Sequence, residues 1–131
     1  MSKFRLAIVG DLSSIGEGDI TEDNLCEIIN NTLNQLYPKV VIVESSGLVS
    51  EVASKIANMR GISLFTTYPE HDRWLWKGQK TNQKLIALDC THLLHFRDYW
   101  SDNSRNTYIA NLTGSLVNSD GTRKVVICHV L

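Results

Sequence analysis

The chain opens on a short apolar run, Phe4-Arg5-Leu6-Ala7-Ile8-Val9, closed by Gly10. A run of this length ending on glycine predicts a buried strand. The stretch from Asp11 to Asp19 carries Ser13, Ser14, Gly16 and Gly18 and predicts a loop. Thr21 is a good helix N-cap, and the acids Glu22 and Asp23 suit the positive end of the helix dipole. Leu25, Ile28, Ile29, Leu33 and Leu36 then recur at helical spacing, and Pro38 marks the stop. Val40-Val41-Ile42-Val43 is apolar at every position, the pattern of a central strand covered on both faces.

Glu44-Ser45-Ser46-Gly47 is the turn after that strand. Val49, Val52, Ala53, Ile56, Ala57 and Met59 form the apolar side of a second helix, with Gly61 as its C′ glycine. Ile62-Ser63-Leu64-Phe65 predicts a third strand. Thr66 to Thr81 is polar and aromatic, and predicts a long loop. A short helix over Asn82–Leu88 and a fourth strand over Thr91–Phe96 follow. A helix over Ser104–Val117, a turn at Asp120-Gly121 and a closing strand over Lys124–Val130 complete the chain. The alternation of strand and helix is the signature of parallel βαβ units. It predicts one α/β domain over residues 1–131, a Rossmann-like three-layer sandwich with a mainly parallel sheet of about five strands. Strand order has no local signal, so the faces on which the helices lie stay open.

Composition narrows the functional classes. The 131 residues suffice for one ordinary domain, and the apolar and charged shares of 43% and 21% are those of a packed globular protein. A net charge of −1 gives no electrostatic reason to expect nucleic acid or an anionic membrane as partner. No apolar run approaches the ~20 residues of a membrane span, and no signal-peptide pattern stands at the N-terminus, so the cytoplasm is the expected compartment. The three cysteines, Cys26, Cys90 and Cys128, are odd in number and widely spaced, and are read as free thiols. Cys90, His92, Cys128 and His129 are metal-ligand residue types without a ligand spacing. Cys90 and His92 are expected to share one strand face with His95 on the other, and no zinc site is expected.

In open parallel sheets ligands bind outside the carboxyl ends of the strands. Four loops fall there: Gly10–Asp19, Glu44–Leu48, Thr66–Thr81 and Arg97–Asn103. The first has neither GxGxxG nor a Walker lysine, yet Gly10 allows a close backbone approach, and Asp11, Ser13 and Ser14 can bond a ribose or phosphate. The second runs from a buried strand straight into a helix, whose N-terminal N–H groups favour an anion. Ser45 and Ser46 add hydroxyls there and Gly47 removes a Cβ; alternatively Ser46 simply caps the helix. Glu44 fits a ribose hydroxyl or an acid/base role better than a phosphate; Glu51, one turn into the helix, is an acid/base candidate or simply a surface acid matched to the helix dipole. In the third loop Trp74 and Trp76 can stack a base or seal a contact, and His71 and Asp72 offer an acid/base pair or plain surface polarity. No GxSxG elbow and no nucleophile–base pairing is visible.

Taken in order, these loops give the chain a family likeness. Ile8-Val9-Gly10-Asp11, then Val43-Glu44-Ser45-Ser46-Gly47-Leu48-Val49-Ser50-Glu51, then Tyr68-Pro69, Trp74 and Gly78 through Thr81-Asn82 follow one another along the chain. The arrangement resembles the SLOG superfamily of Rossmann-like domains, which groups the DNA-processing Smf/DprA proteins with the Lonely-Guy cytokinin-activating proteins. It is most similar to the small stand-alone branch. The resemblance runs to about Phe96 and more loosely beyond. It implies a nucleotide-related ligand over the two glycine loops. The Pro-Gly-Gly-x-Gly-Thr-x-x-Glu motif of the hydrolase branch is absent, no arginine follows Gly10, and Thr81 stands where the family has arginine.

Three functions follow as expectations. The first is a module, in the manner of a sensor, that binds a nucleotide-derived ligand through Gly10, Asp11, Ser13, Ser45, Ser46 and Gly47, with Asn82 orienting it. The second is an N-glycosidic hydrolase or transferase on nucleoside phosphates with Glu44 or Glu51 as acid/base. The third is a protein-interaction module with Trp74, Trp76, Tyr99 and Trp100 as its surface. The tryptophan loop is also a candidate contact for a homodimer.

Overall fold

Strand and helix alternate without exception through the computed structural model, which describes residues 3–11, 22–45, 47–68, 76–97 and 104–130. The elements are β1 (Arg5–Asp11), α1 (Glu22–Leu36), β2 (Val40–Glu44), α2 (Leu48–Met59), β3 (Ser63–Thr67), α3 (Trp76–Asp89), β4 (His92–Arg97), α4 (Ser104–Ser115) and β5 (Val125–Val130). The five strands form one sheet in the order β3-β2-β1-β4-β5, and every neighbouring pair is parallel. The expected Rossmann-like three-layer α/β architecture is therefore the one present.

This order settles where the helices lie. From β1 to β3 the chain steps in one direction, so right-handed crossovers put α1 and α2 on one face. It then crosses back to β4, and α3 and α4 take the other face. The side chains of β1 record both sides by alternation. Leu6 and Ile8 pack with Leu25, Ile29 and Leu33 of α1 and with Val49, Val52 and Ile56 of α2. Ala7 and Val9 pack with Ile86 and Ala87 of α3 and Ile109 of α4. Each fully buried Leu, Ile or Val contributes about 1.5–3 kcal/mol, so a strand covered on both faces needs the unbroken apolar run seen in β1 and β2.

The ends of the helices on the first face follow from backbone chemistry. Tyr37 follows α1 in a left-handed conformation, its N–H donating to the Leu33 carbonyl at 2.9 Å, and Pro38 prevents continuation. After α2, Gly61 has φ 68°, and Ile62 N–H donates back to the Ala57 carbonyl at 2.9 Å, the closing bond of a Schellman turn. Thr21, the expected cap of α1, lies outside the described residues.

Three expectations are corrected. β3 reaches Thr67, and α3 begins at Trp76 rather than Asn82, so much of the expected loop over 66–81 belongs to regular elements. Polar residues on the buried face of α3, Asn82 and Gln83, break the apolar stripe that would have announced the helix. Cys90 does not share a strand face with His92, because it precedes β4 and packs with Ala7 and Leu93 under α3. His92 lies against Phe4, with ring centroids 4.5 Å apart.

The amino edge of the sheet is closed by a polar network. Arg5 N–H donates to the Thr91 hydroxyl at 2.8 Å, and the Arg5 guanidinium pairs with Asp89 at 2.7 Å. The Lys124 ammonium donates to the Leu88 and Cys90 carbonyls, placing a cation at the negative end of α3.

Candidate functional site

The strand order reverses at β1. The chain leaves β1 toward β2 on one side and later returns to β4 on the other. The crevice at such a reversal, outside the carboxyl ends of the two strands, is where open parallel sheets hold ligands. Here that edge pairs Gly10 with Phe96 and Asp11 with Arg97. A Cβ on Gly10 would stand 2.6 Å from the Phe96 carbonyl oxygen. The close approach that this glycine permits is therefore one between strands. Arg97 was not singled out from sequence. It gains its place from β4 being the neighbour of β1, which no local pattern announces.

β2 ends next to β1, with Val43 opposite Ile8. Its last residue, Glu44, pairs with Thr67 of β3. The chain then turns into α2 through Gly47, the N-cap residue, at φ 105° and ψ 155°. That conformation is open to glycine and strained for other residues. Gly47 offers no side-chain cap, and its carbonyl takes the first helical bond, from Glu51 N–H at 3.0 Å. The result is a cleft of about 520 Å³ between the end of β2 and the first turns of α2. Glu44, Ser45, Ser50, Glu51, Ser54, Lys55, Leu64 and Thr66 line it. Two carboxylates thus face one ammonium, and Lys55 is also 3.9 Å from Glu22. Such a cleft favours hydroxyl donors or a cation and disfavours phosphate.

Glu44, Ser45 and Glu51 are brought together; Asn82 is not. It is 3% exposed and sits on α3, across the sheet. Its amide N–H donates to the Thr67 hydroxyl at 3.1 Å, and that hydroxyl donates to the Val43 carbonyl at 3.2 Å. Asn82 thereby ties α3 to the ends of β3 and β2. It also lines a second cavity of about 490 Å³, mostly apolar, with Phe65, Thr67, Tyr68 and Leu85. Ser13, Ser14, Ser46, His71, Asp72, Trp74, Tyr99 and Trp100 lie outside the described residues, as do the side chains of Asp11 and Trp76.

The helix termini at this edge differ in charge. Helices of a parallel α/β sheet all begin at the carboxyl ends of the strands, where their positive dipole ends collect. α1 carries Glu22 and Asp23 in its first turn and α2 carries Glu51, whereas α3 and α4 carry no acid there. By first-turn charge, an anionic group is better placed at α3 or α4 than at α1 or α2.

Cys90 and His92, whose pKa values are displaced, lie away from this cleft. Burial pushes the Cys90 thiol up to about 11. Burial lowers the His92 imidazole below its ordinary value. Among the described residues no three His, Cys, Asp or Glu side chains converge as a metal site, and no helix is long and apolar enough to cross a membrane. Comparison of the chain with models of known protein families, with curated proteins and with solved structures gave no match.

Proposed function

We propose that the chain binds a nucleotide or nucleotide-derived ligand across the carboxyl ends of β1 and β2, in the manner of a sensor. One observation carries this reading: Glu44, Ser45 and Glu51 gather in a single cleft at the carboxyl end of β2, the strand next to the one at which the sheet order reverses. A carboxylate at the end of β2 accepts hydrogen bonds from ribose hydroxyls, and these charge-assisted bonds are the strong kind. The phosphate lies away from both acids, toward the β1–β4 crevice and the first turn of α4, which carries no acid. The nucleotide class itself follows the resemblance to the SLOG superfamily.

The test is thermal unfolding against a panel of AMP, ADP-ribose and cyclic nucleotides. A ligand at about 100 times its Kd stabilises by about 2.7 kcal/mol, a rise of several degrees in Tm for a domain of this size. Glu44→Gln is expected to shrink the shift for ribonucleotides more than for 2′-deoxyribonucleotides. No shift with any member of the panel would count against the reading and favour a protein-interaction role.

The same cleft supports a second reading, because two carboxylates in one pocket are what N-glycosidic hydrolysis needs for acid/base work. Release of free base and sugar phosphate from the panel, lost in Glu44→Gln or Glu51→Gln, would replace binding with turnover.

A further inference from the structure

Cys128 and His95 meet across the β4–β5 pair, on the opposite side of the molecule from the Glu44 cleft. The two strands run parallel with His95 opposite Cys128. By alternation with Leu93 and Val126, both side chains face the α3/α4 side. The Cys128 Sγ stands 3.7 Å from the His95 Nδ1, within reach of a hydrogen bond to sulfur. The imidazole is 1% exposed and held behind the sheet surface, while Cys128 is open to solvent. Strand β5 is at the end of the sheet order, so no further strand of the described residues covers it. An accessible thiol against a positioned imidazole is the nucleophile–base arrangement of thiol chemistry.

We propose that Cys128 is a site of reversible thiol–disulfide exchange with low-molecular-weight disulfides, with His95 taking the thiol proton. With its own proton on Nε2, the imidazole accepts the S–H proton at Nδ1 as Sγ attacks one sulfur of the incoming disulfide. A new S–S bond forms to Cys128 and the old S–S bond breaks. The leaving sulfur departs with the electron pair and takes the proton back from His95. One thiol and one disulfide give one mixed disulfide and one free thiol, so the disulfide is the only oxidant required. Excess small thiol reverses the step.

The other two cysteines are internal references. Cys26 is half-buried on α1, against the core. Cys90 is buried, its thiol held protonated by desolvation, and its Sγ lies 3.8 Å from the Ala87 carbonyl. Thiolate is the attacking species, so a desolvated thiol of this kind stays inert.

The experiment exposes the folded full chain to glutathione disulfide at pH 7 and follows each cysteine by mass spectrometry of the digest. The adduct is expected on Cys128 first, on Cys26 more slowly, and not on Cys90. In His95→Gln the Cys128 rate should fall roughly tenfold or more, the loss of a general base, while the Cys26 rate stays unchanged and reports an intact fold. A second comparison guards against a variant that does not fold. Cys128 in the native wild-type chain should react roughly tenfold faster than the same thiol in a peptide of residues 124–131. Cys128 reacting no faster than the peptide, or at an unchanged rate in His95→Gln, would overturn the proposal.

Discussion

Gly10 has no room for a side chain. An added Cβ would meet the Phe96 carbonyl oxygen at 2.6 Å and the Phe96 Cβ at 2.8 Å, and both belong to a paired strand that cannot swing away. Gly10→Ala is expected to lower stability by about 1–3 kcal/mol, the usual cost of overpacking. Urea unfolding should show this as a lower midpoint at unchanged slope. Sequence marked Gly10 as special, and the reason lies in the β1–β4 contact, which only the strand order reveals. His92 gives a pH signature. Burial holds its folded pKa below the ordinary 6.5, so the unfolded chain takes up the proton first as pH falls. The stabilising difference is present above 6.5 and is lost as pH drops from there toward the lowered folded value. Urea midpoints measured through that window should decline less steeply in His92→Gln than in the wild type.

At the scale of elements, α2 depends on its entry. Gly47 at φ 105° and ψ 155° is in a region that costs other residues about 1–3 kcal/mol. Gly47→Ala is expected to destabilise by that amount although nothing lies within 4 Å of the added Cβ, which separates backbone strain from crowding. The measurement is again equilibrium unfolding, with Gly10→Ala as the crowding counterpart. α1 and α2 were legible because their apolar residues follow one helical period and stop before Pro38 and Gly61, and β1 and β2 because their apolar runs are unbroken. The first turns of α3 were not. The buried side of that helix holds Asn82 and Gln83, and hydrogen bonding to Thr67 replaces part of the apolar contact that a periodic pattern would display. Asn82 was singled out in sequence by its place in the SLOG resemblance, and it sits on α3, across the sheet from Ser45.

On the scale of the whole molecule, the order β3-β2-β1-β4-β5 is the feature with the widest consequences. It sets two helices on each face, buries β1 on both sides, and puts the reversal of the sheet between Asp11 and Arg97. The alternation of strand and helix was readable residue by residue; the order was not, since it is decided by which crossover packs better and not by any one segment. Glu44, Ser45 and Glu51 were readable as a group because they are close in the chain. Arg97 was not, because its link to β1 spans most of the sequence. First-turn charge differs along the edge, with acids in the first turns of α1 and α2 and none in those of α3 and α4.

Amide chemical-shift mapping is the direct test of the proposed nucleotide-derived ligand at this edge. Uniformly 15N-labelled chain would be titrated with AMP, ADP-ribose and a cyclic nucleotide in turn. Saturable shifts are expected for the amides of Gly10, Asp11, Glu44, Ser45 and Gly47, with Arg5, Thr91 and Lys124 at the amino edge unmoved. Saturable shifts confined to the amino edge, or no shifts with any of the three, would contradict it.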